Sequence, residues 1–129
     1  MENIGIYVHI PFCMRKCYYC DFCSYPGQLD KQEDYVQALK EEIKERSKRV
    51  KNYIDTIYIG GGTPSIIDAS YIAEILNCIT DNYKVKKNAE ITIEVNPGTV
   101  TKNKLTLYKE AGINRLSIGL QSTKDKLLE

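Results

Sequence analysis

The chain reads as an α/β fold built on a parallel sheet, and three observations lead there. Short β-branched runs alternate with helical periodicities, the pattern of repeated βαβ units. Each run alternates apolar with polar or small residues. The unusual residues gather where the runs end.

The first strand is Ile4 to Ile10. Asp30-Lys31-Gln32-Glu33 has the form of a helix cap with an acidic partner three residues on, and the following helix sets Val36, Leu39, Ile43 and Val50 on one face. A second strand is expected at about Thr56 to Gly60. A second helix starting near Asp68 groups Ile72, Ile75, Leu76 and Ile79. The third strand is expected at about Ile91 to Val95. The third helix runs from about Thr101 to Ala111, with Gly112 suited to the position past its end. The fourth strand is expected at about Arg115 to Leu120.

Side chains alternate across a strand. Ile4, Ile6, Val8 and Ile10 therefore oppose Gly5, Tyr7 and His9, and Ile57 and Ile59 oppose Tyr58 and Gly60. Likewise Ile91, Ile93 and Val95 oppose Thr92 and Glu94, while Leu116, Ile118 and Leu120 oppose Ser117, Gly119 and Gln121. A parallel sheet covered on both faces reads as continuous Val, Ile and Leu. Here one face packs on helices and the other meets something polar, as on the concave side of a curved sheet that holds a ligand. A fully packed TIM barrel has an apolar interior instead.

Composition excludes several partners. Lys+Arg is 18 and Asp+Glu 17, a balance that gives no reason to expect nucleic acid or an anionic membrane. No apolar run reaches the ~20 residues of a spanning helix, and Met1-Glu2-Asn3-Ile4-Gly5 lacks the pattern of a secretory leader. The expected setting is the cytoplasm, where thiols stay reduced. Of the five cysteines, four fall in Cys13-Met-Arg-Lys-Cys17-Tyr-Tyr-Cys20-Asp-Phe-Cys23, so metal is a better reading than disulfides.

Three closely spaced thiolates in one loop can each reach a corner of an iron–sulfur cubane, which leaves a fourth iron for a non-protein ligand. Cys23 as fourth ligand would instead close the cluster into an electron-transfer centre. Zinc is a further option, although structural zinc sites generally pair two short knuckles across a gap. Buried structural thiols suit a polar loop least. Spacing ranks the open cluster first, then the closed cluster, then zinc.

The other motifs end strands at the same edge, where parallel α/β folds build their sites. Gly60-Gly61-Gly62-Thr63-Pro64 serves as a tight turn and as backbone that a ligand can approach closely. Glu94 has the polar-face parity, where its carboxylate either accepts ligand hydrogen bonds or pairs with Arg115. Gln121 shares that parity and can donate and accept. His9, the single histidine, is either a proton donor or a hydrogen-bonded wall residue. Cys78 is most simply a structural thiol on the second helix.

Cys-x3-Cys-x2-Cys after a first strand, with Gly-Gly-Gly-Thr-Pro after a second, resembles the radical S-adenosylmethionine (SAM) superfamily. The segments Tyr7 to Cys13, Tyr18 to Phe22, Ile59 to Ser65, Ile93 to Gly98 and Arg115 to Ser122 narrow the likeness to the oxygen-independent coproporphyrinogen III oxidase family, in particular its HemW branch of heme chaperones. The resemblance implies a partial TIM barrel. Residues 1–129 would be the N-terminal part of its core, with further βα units and a C-terminal domain missing. Cys13, Cys17 and Cys20 would ligate a [4Fe-4S] cluster, with SAM on the open iron and reductive SAM cleavage in the full-length form. Tyr7, Gly61 and Glu94 match positions that contact this SAM. Tyr19, Gly62, Thr63 and Gln121 match positions assigned to a second SAM. No residue is implied as a catalytic acid, base or nucleophile.

The family's oxidases decarboxylate coproporphyrinogen III to protoporphyrinogen IX. They resemble one another in carrying a cysteine one residue beyond the third ligand and a longer segment before the first strand. Phe22 stands at that place here, and twelve residues precede Cys13. Both departures favour the HemW branch, whose implied partners are heme or porphyrin, a flavodoxin or ferredoxin as electron donor, and a heme-accepting apoprotein. A simple iron–sulfur electron carrier is the third reading.

Overall fold

The computed structural model describes residues 2–11, 28–62, 64–98 and 100–118. In chain order the elements are β1 (Ile4–Ile10), α1 (Gln28–Ser47), β2 (Tyr53–Gly61), a 3-10 turn (Pro64–Ile66), α2 (Ala69–Asn82), β3 (Lys84–Val95), α3 (Lys102–Ala111) and β4 (Arg115–Ile118). The four strands form one sheet in the order β1-β2-β3-β4, and every neighbouring pair is parallel. The α/β class and the parallel sheet expected from sequence are both present.

The predicted two-faced parity is realised in β1, β2 and β3, except that Thr92 on the polar face is buried, and it is not realised in β4. Val8, Ile10, Ile57, Ile59, Ile91, Ile93 and Val95 are buried, and they share one core with Val36 and Ile43 of α1, Ile72, Ile75, Leu76 and Ile79 of α2, and Tyr108 of α3. Burying an isoleucine of this kind contributes about 1.5–3 kcal/mol relative to leaving it in water, so this face holds the layers together. On the opposite face Tyr7 is 58% exposed, His9 is exposed, and Tyr58 and Glu94 are half-buried.

Several boundaries differ from those read in the sequence. Helix α1 begins at Gln28, two residues before the expected cap, so Asp30 lies inside the first turn. Val50 falls beyond the end of α1, where its N–H donates to Ser47 O at 3.3 Å, yet it still packs against the core. Asp68 stands at the N-cap of α2 without a side-chain cap bond. Strand β3 starts at Lys84, well before Ile91. Tyr53 and Ile54 pair with Lys84 and Val85, the register then shifts, and pairing resumes at Thr56 with Glu90. The intervening Lys86-Lys87-Asn88 has no apolar alternation, so the sequence gives no strand signal there.

The ends of α3 follow the sequence closely. Thr101 accepts from Lys104 N at 3.1 Å, and Gly112 closes the helix in the left-handed region at φ 111°, which glycine adopts without a Cβ penalty. Asn114 then fastens the turn to β3: its side chain accepts from Ile91 N and donates to Ala89 O, both at 2.9 Å. That clasp sets the register in which Arg115 meets Thr92 and Ser117 meets Glu94. The apolar side of β4 is open, with Leu116 41% and Ile118 53% exposed.

Candidate functional site at the carboxyl edge of the sheet

The register brings the polar-face residues into rows. Tyr7 lies beside Tyr58, and His9 beside Gly60. Tyr58 lies in turn beside Thr92. The Tyr7 and Tyr58 rings stack with centroids 5.9 Å apart and planes inclined by 16°. The Tyr7 hydroxyl is 3.4 Å from His9 Nδ1. Burial, then the negative charge of Glu94 and the Tyr58 phenol, raise the Tyr7 pKa above its usual value, so Tyr7 remains a neutral phenol at physiological pH. Tyr35 of α1 donates its hydroxyl to the His9 carbonyl, tying the helix to the end of β1.

Glu94 is the centre of the site. Its Oε2 accepts from the Tyr58 hydroxyl at 2.8 Å, and its Oε1 accepts from Gly61 N at 3.1 Å. Arg115, the alternative partner weighed from sequence, sits 3.5 Å from Glu90 instead. Two charge-assisted bonds hold the Glu94 carboxylate in place, while a carboxylate has about four acceptor positions. The group is thus fixed with acceptor capacity left over.

The glycines make room for this arrangement. A Cβ on Gly60 would lie 2.9 Å from the Tyr58 ring and 3.0 Å from both Glu94 Oε1 and the Tyr7 hydroxyl. Gly61 has φ 115°, and a Cβ there would lie 2.6 Å from Ile10 O and 2.9 Å from the His9 ring. Gly62 N donates to Ile10 O at 2.7 Å. The glycine turn is therefore stapled to the end of β1, the point from which the chain enters the cysteine segment. A second link runs to β3, where Asn96 N donates to Ser65 Oγ at 3.1 Å.

Of the residues singled out by sequence, Tyr7, Gly61, Gly62 and Glu94 come together at one edge with His9. Cys13, Cys17, Cys20, Cys23, Tyr19, Thr63 and Gln121 lie outside the described residues. Among the described residues no group of His, Cys, Asp and Glu is arranged to hold a metal ion. Cys78 is buried and free, with its Sγ 3.5 Å from Lys40 O, in keeping with a structural thiol. Tyr58, Tyr35, Ser65 and Lys104 were not singled out. For Tyr58 the signal was available, because its parity already set it beside Gly60 on the polar face.

The cradle fits the chemistry of SAM. A ligand with an ammonium and ribose hydroxyls can donate to Glu94, and one with an aromatic base can pass close to the exposed, side-chain-free backbone at Gly61.

The family model for the radical SAM superfamily matches residues 7–129. The chain belongs to this superfamily. Membership implies a [4Fe-4S] cluster and SAM. Heme chaperone HemW of Buchnera aphidicola from Acyrthosiphon pisum is 40% identical over 131 residues, covering 100% of this chain and 35% of that protein. Heme chaperone HemW of Escherichia coli K12 is 38% identical over 132 residues, with the same coverage of both. Among solved structures, coproporphyrinogen III oxidase HemN from Escherichia coli, a radical SAM enzyme, superimposes with a TM-score of 0.81 at 33% identity, covering 91% of this chain and 27% of that one. The radical SAM chain thus spans about a third of the length of the curated relatives it matches. The likeness to the HemW branch drawn from the motifs is met. No helix among the described residues is long and apolar enough to cross a membrane.

Proposed function

We propose that residues 1–129 supply the first four strands of a radical SAM core and carry its cluster- and SAM-binding residues, in a protein that binds heme and delivers it to an apoprotein in the manner of HemW. In this reading Cys13, Cys17 and Cys20 hold the [4Fe-4S] cluster. Tyr7, Gly61 and Glu94 contact the SAM bound at it, and Tyr19, Gly62, Thr63 and Gln121 serve a second SAM. When bound, the cluster supplies the electron for reductive cleavage of SAM, and a flavodoxin- or ferredoxin-type donor recharges it.

The observation that carries the reading is the Glu94 carboxylate, fixed by Tyr58 and Gly61 beside a glycine turn that is stapled to the start of the cysteine segment. The chain's own residues orient a donor-rich ligand at that edge. Glu94 presents lone pairs, Gly60 lets the Tyr7, Tyr58 and Glu94 side chains close in around it, and the Tyr7 and Tyr58 rings wall one side.

HemW relatives at 33–40% identity support the chaperone over the oxidase, and Phe22 stands where the oxidases resemble one another in having a cysteine. Electron paramagnetic resonance of anaerobically reconstituted, reduced protein tests the SAM site: addition of SAM is expected to change the cluster spectrum. Titration with heme then separates chaperone from oxidase. Saturable heme binding without protoporphyrinogen formation is the expected result, and decarboxylation of coproporphyrinogen III would establish the oxidase. A spectrum indifferent to SAM, with all four clustered cysteines needed for iron, would leave an electron carrier.

A further inference from the structure

Lys104 occupies an unfavourable place for a cation. It lies in the first turn of α3, where the helix macrodipole opposes positive charge. Burial lowers its pKa below the usual lysine value, and Asp68 acts only partly against that shift. What it gains is a bond: its ammonium donates to the carbonyl of Ser65. Ser65 is completely buried and accepts from Asn96 N through its hydroxyl. One buried serine therefore joins three elements, the turn after β2, the end of β3 and the start of α3.

These bonds share a frame with the ligand cradle. The turn after β2 is attached to β3 at Gly61–Glu94 and again at Asn96–Ser65. The two attachments lie at Gly61 and Ser65 on one side and at Glu94 and Asn96 on the other. Movement of Ser65 shifts the second attachment, and the Gly61 amide then no longer meets Glu94 at a fixed distance. A charged donor on a carbonyl makes a stronger bond than a neutral one, which suits a residue that must hold this turn.

We propose that Lys104 is a positioning residue, which anchors Ser65 and thereby sets the glycine turn against Glu94 for SAM binding. The SAM part rests on the function proposed above, whereas the anchoring part does not.

The test compares Lys104→Met and Lys104→Arg with the wild-type chain by amide hydrogen exchange at Gly61 and Asn96, and by the SAM concentration that half-saturates the change in the cluster's resonance spectrum. Lys104→Met is expected to speed exchange at both amides by about tenfold and to weaken SAM binding by about fivefold. Lys104→Arg, which keeps the charge and the donor, restores both to within about twofold. Unchanged exchange at Gly61 and Asn96 in Lys104→Met overturns the proposal, and so does failure of arginine to rescue. If wild-type protein shows no spectral response to SAM, the functional reading fails while the exchange data still decide the anchoring. Should Lys104→Met not fold, Lys104→Leu gives the same exchange comparison without a donor, and normal exchange there counts against the proposal.

Discussion

Tyr58 donates its hydroxyl to Glu94 Oε2 at 2.8 Å, from one strand of the sheet to the next. The same ring stacks on Tyr7, so Tyr58 joins an aromatic wall to an acidic centre. Replacement by phenylalanine keeps the ring and removes only the bond. Tyr58→Phe is expected to cost about 1 kcal/mol or less in stability, because Glu94 is half-buried and can turn to water. SAM affinity, read from the cluster spectrum, should fall by about fivefold as the carboxylate loses its fixed orientation. Unaltered affinity would show that Gly61 alone is enough to orient Glu94.

The two glycines should fail differently when given a side chain. At Gly61 a methyl group meets the Ile10 carbonyl and the backbone has φ 115°, so Gly61→Ala strains main chain on both counts. It is expected to lower stability by at least about 1–2 kcal/mol. At Gly60 the obstacles are the Tyr58, Glu94 and Tyr7 side chains, which can yield. Gly60→Ala should therefore fold with a smaller loss but displace the cradle and bind SAM more weakly. Denaturant titration of both variants checks the order, and equal losses would contradict it.

Tyr108 carries its hydroxyl in the core without a hydrogen-bond partner among the described residues, and burial pushes its pKa up to about 12 from 10.0. Below pH 10 the group is protonated in both folded and unfolded chains and adds no pH dependence. Above that value the unfolded chain loses the proton first, so the stability it contributes is fully present below pH 10 and is lost as pH rises through about 12. Tyr108→Phe should flatten part of that alkaline loss. At neutral pH it should raise stability by up to about 1 kcal/mol, or roughly 4 °C in Tm. Thermal melts at pH 7 and near pH 10.5 check both effects, and a clear destabilisation at pH 7 would mean that the hydroxyl is bonded after all.

Cys23 lies three residues after Cys20, the last of the proposed ligands Cys13, Cys17 and Cys20. In the open-cluster reading it binds no iron. Cys23→Ser is expected to keep the iron content of reconstituted wild-type protein, whereas Cys17→Ser should lose most of it. Iron and sulfide assays on both variants decide the matter, and loss of iron in Cys23→Ser would restore the closed cluster.

The sequence by itself determined the layer plan. Period-two alternation in Ile4 to Ile10, Ile57 to Gly60 and Ile91 to Val95 specified one buried and one polar face, because a strand's side chains can point only two ways. It also placed Tyr7, Gly61, Gly62 and Glu94 at one edge, since parallel strands end on the same side. Tertiary structure decided the partners. Glu94 bonds to Tyr58 and Gly61 while Arg115 goes to Glu90, a choice that depends on register between strands and on a shift within β2 and β3. The Lys104–Ser65–Asn96 junction likewise joins residues up to 39 positions apart. Local periodicity holds no information about such contacts, which exist only once the helices have packed and the backbone has brought distant polar groups within bonding distance.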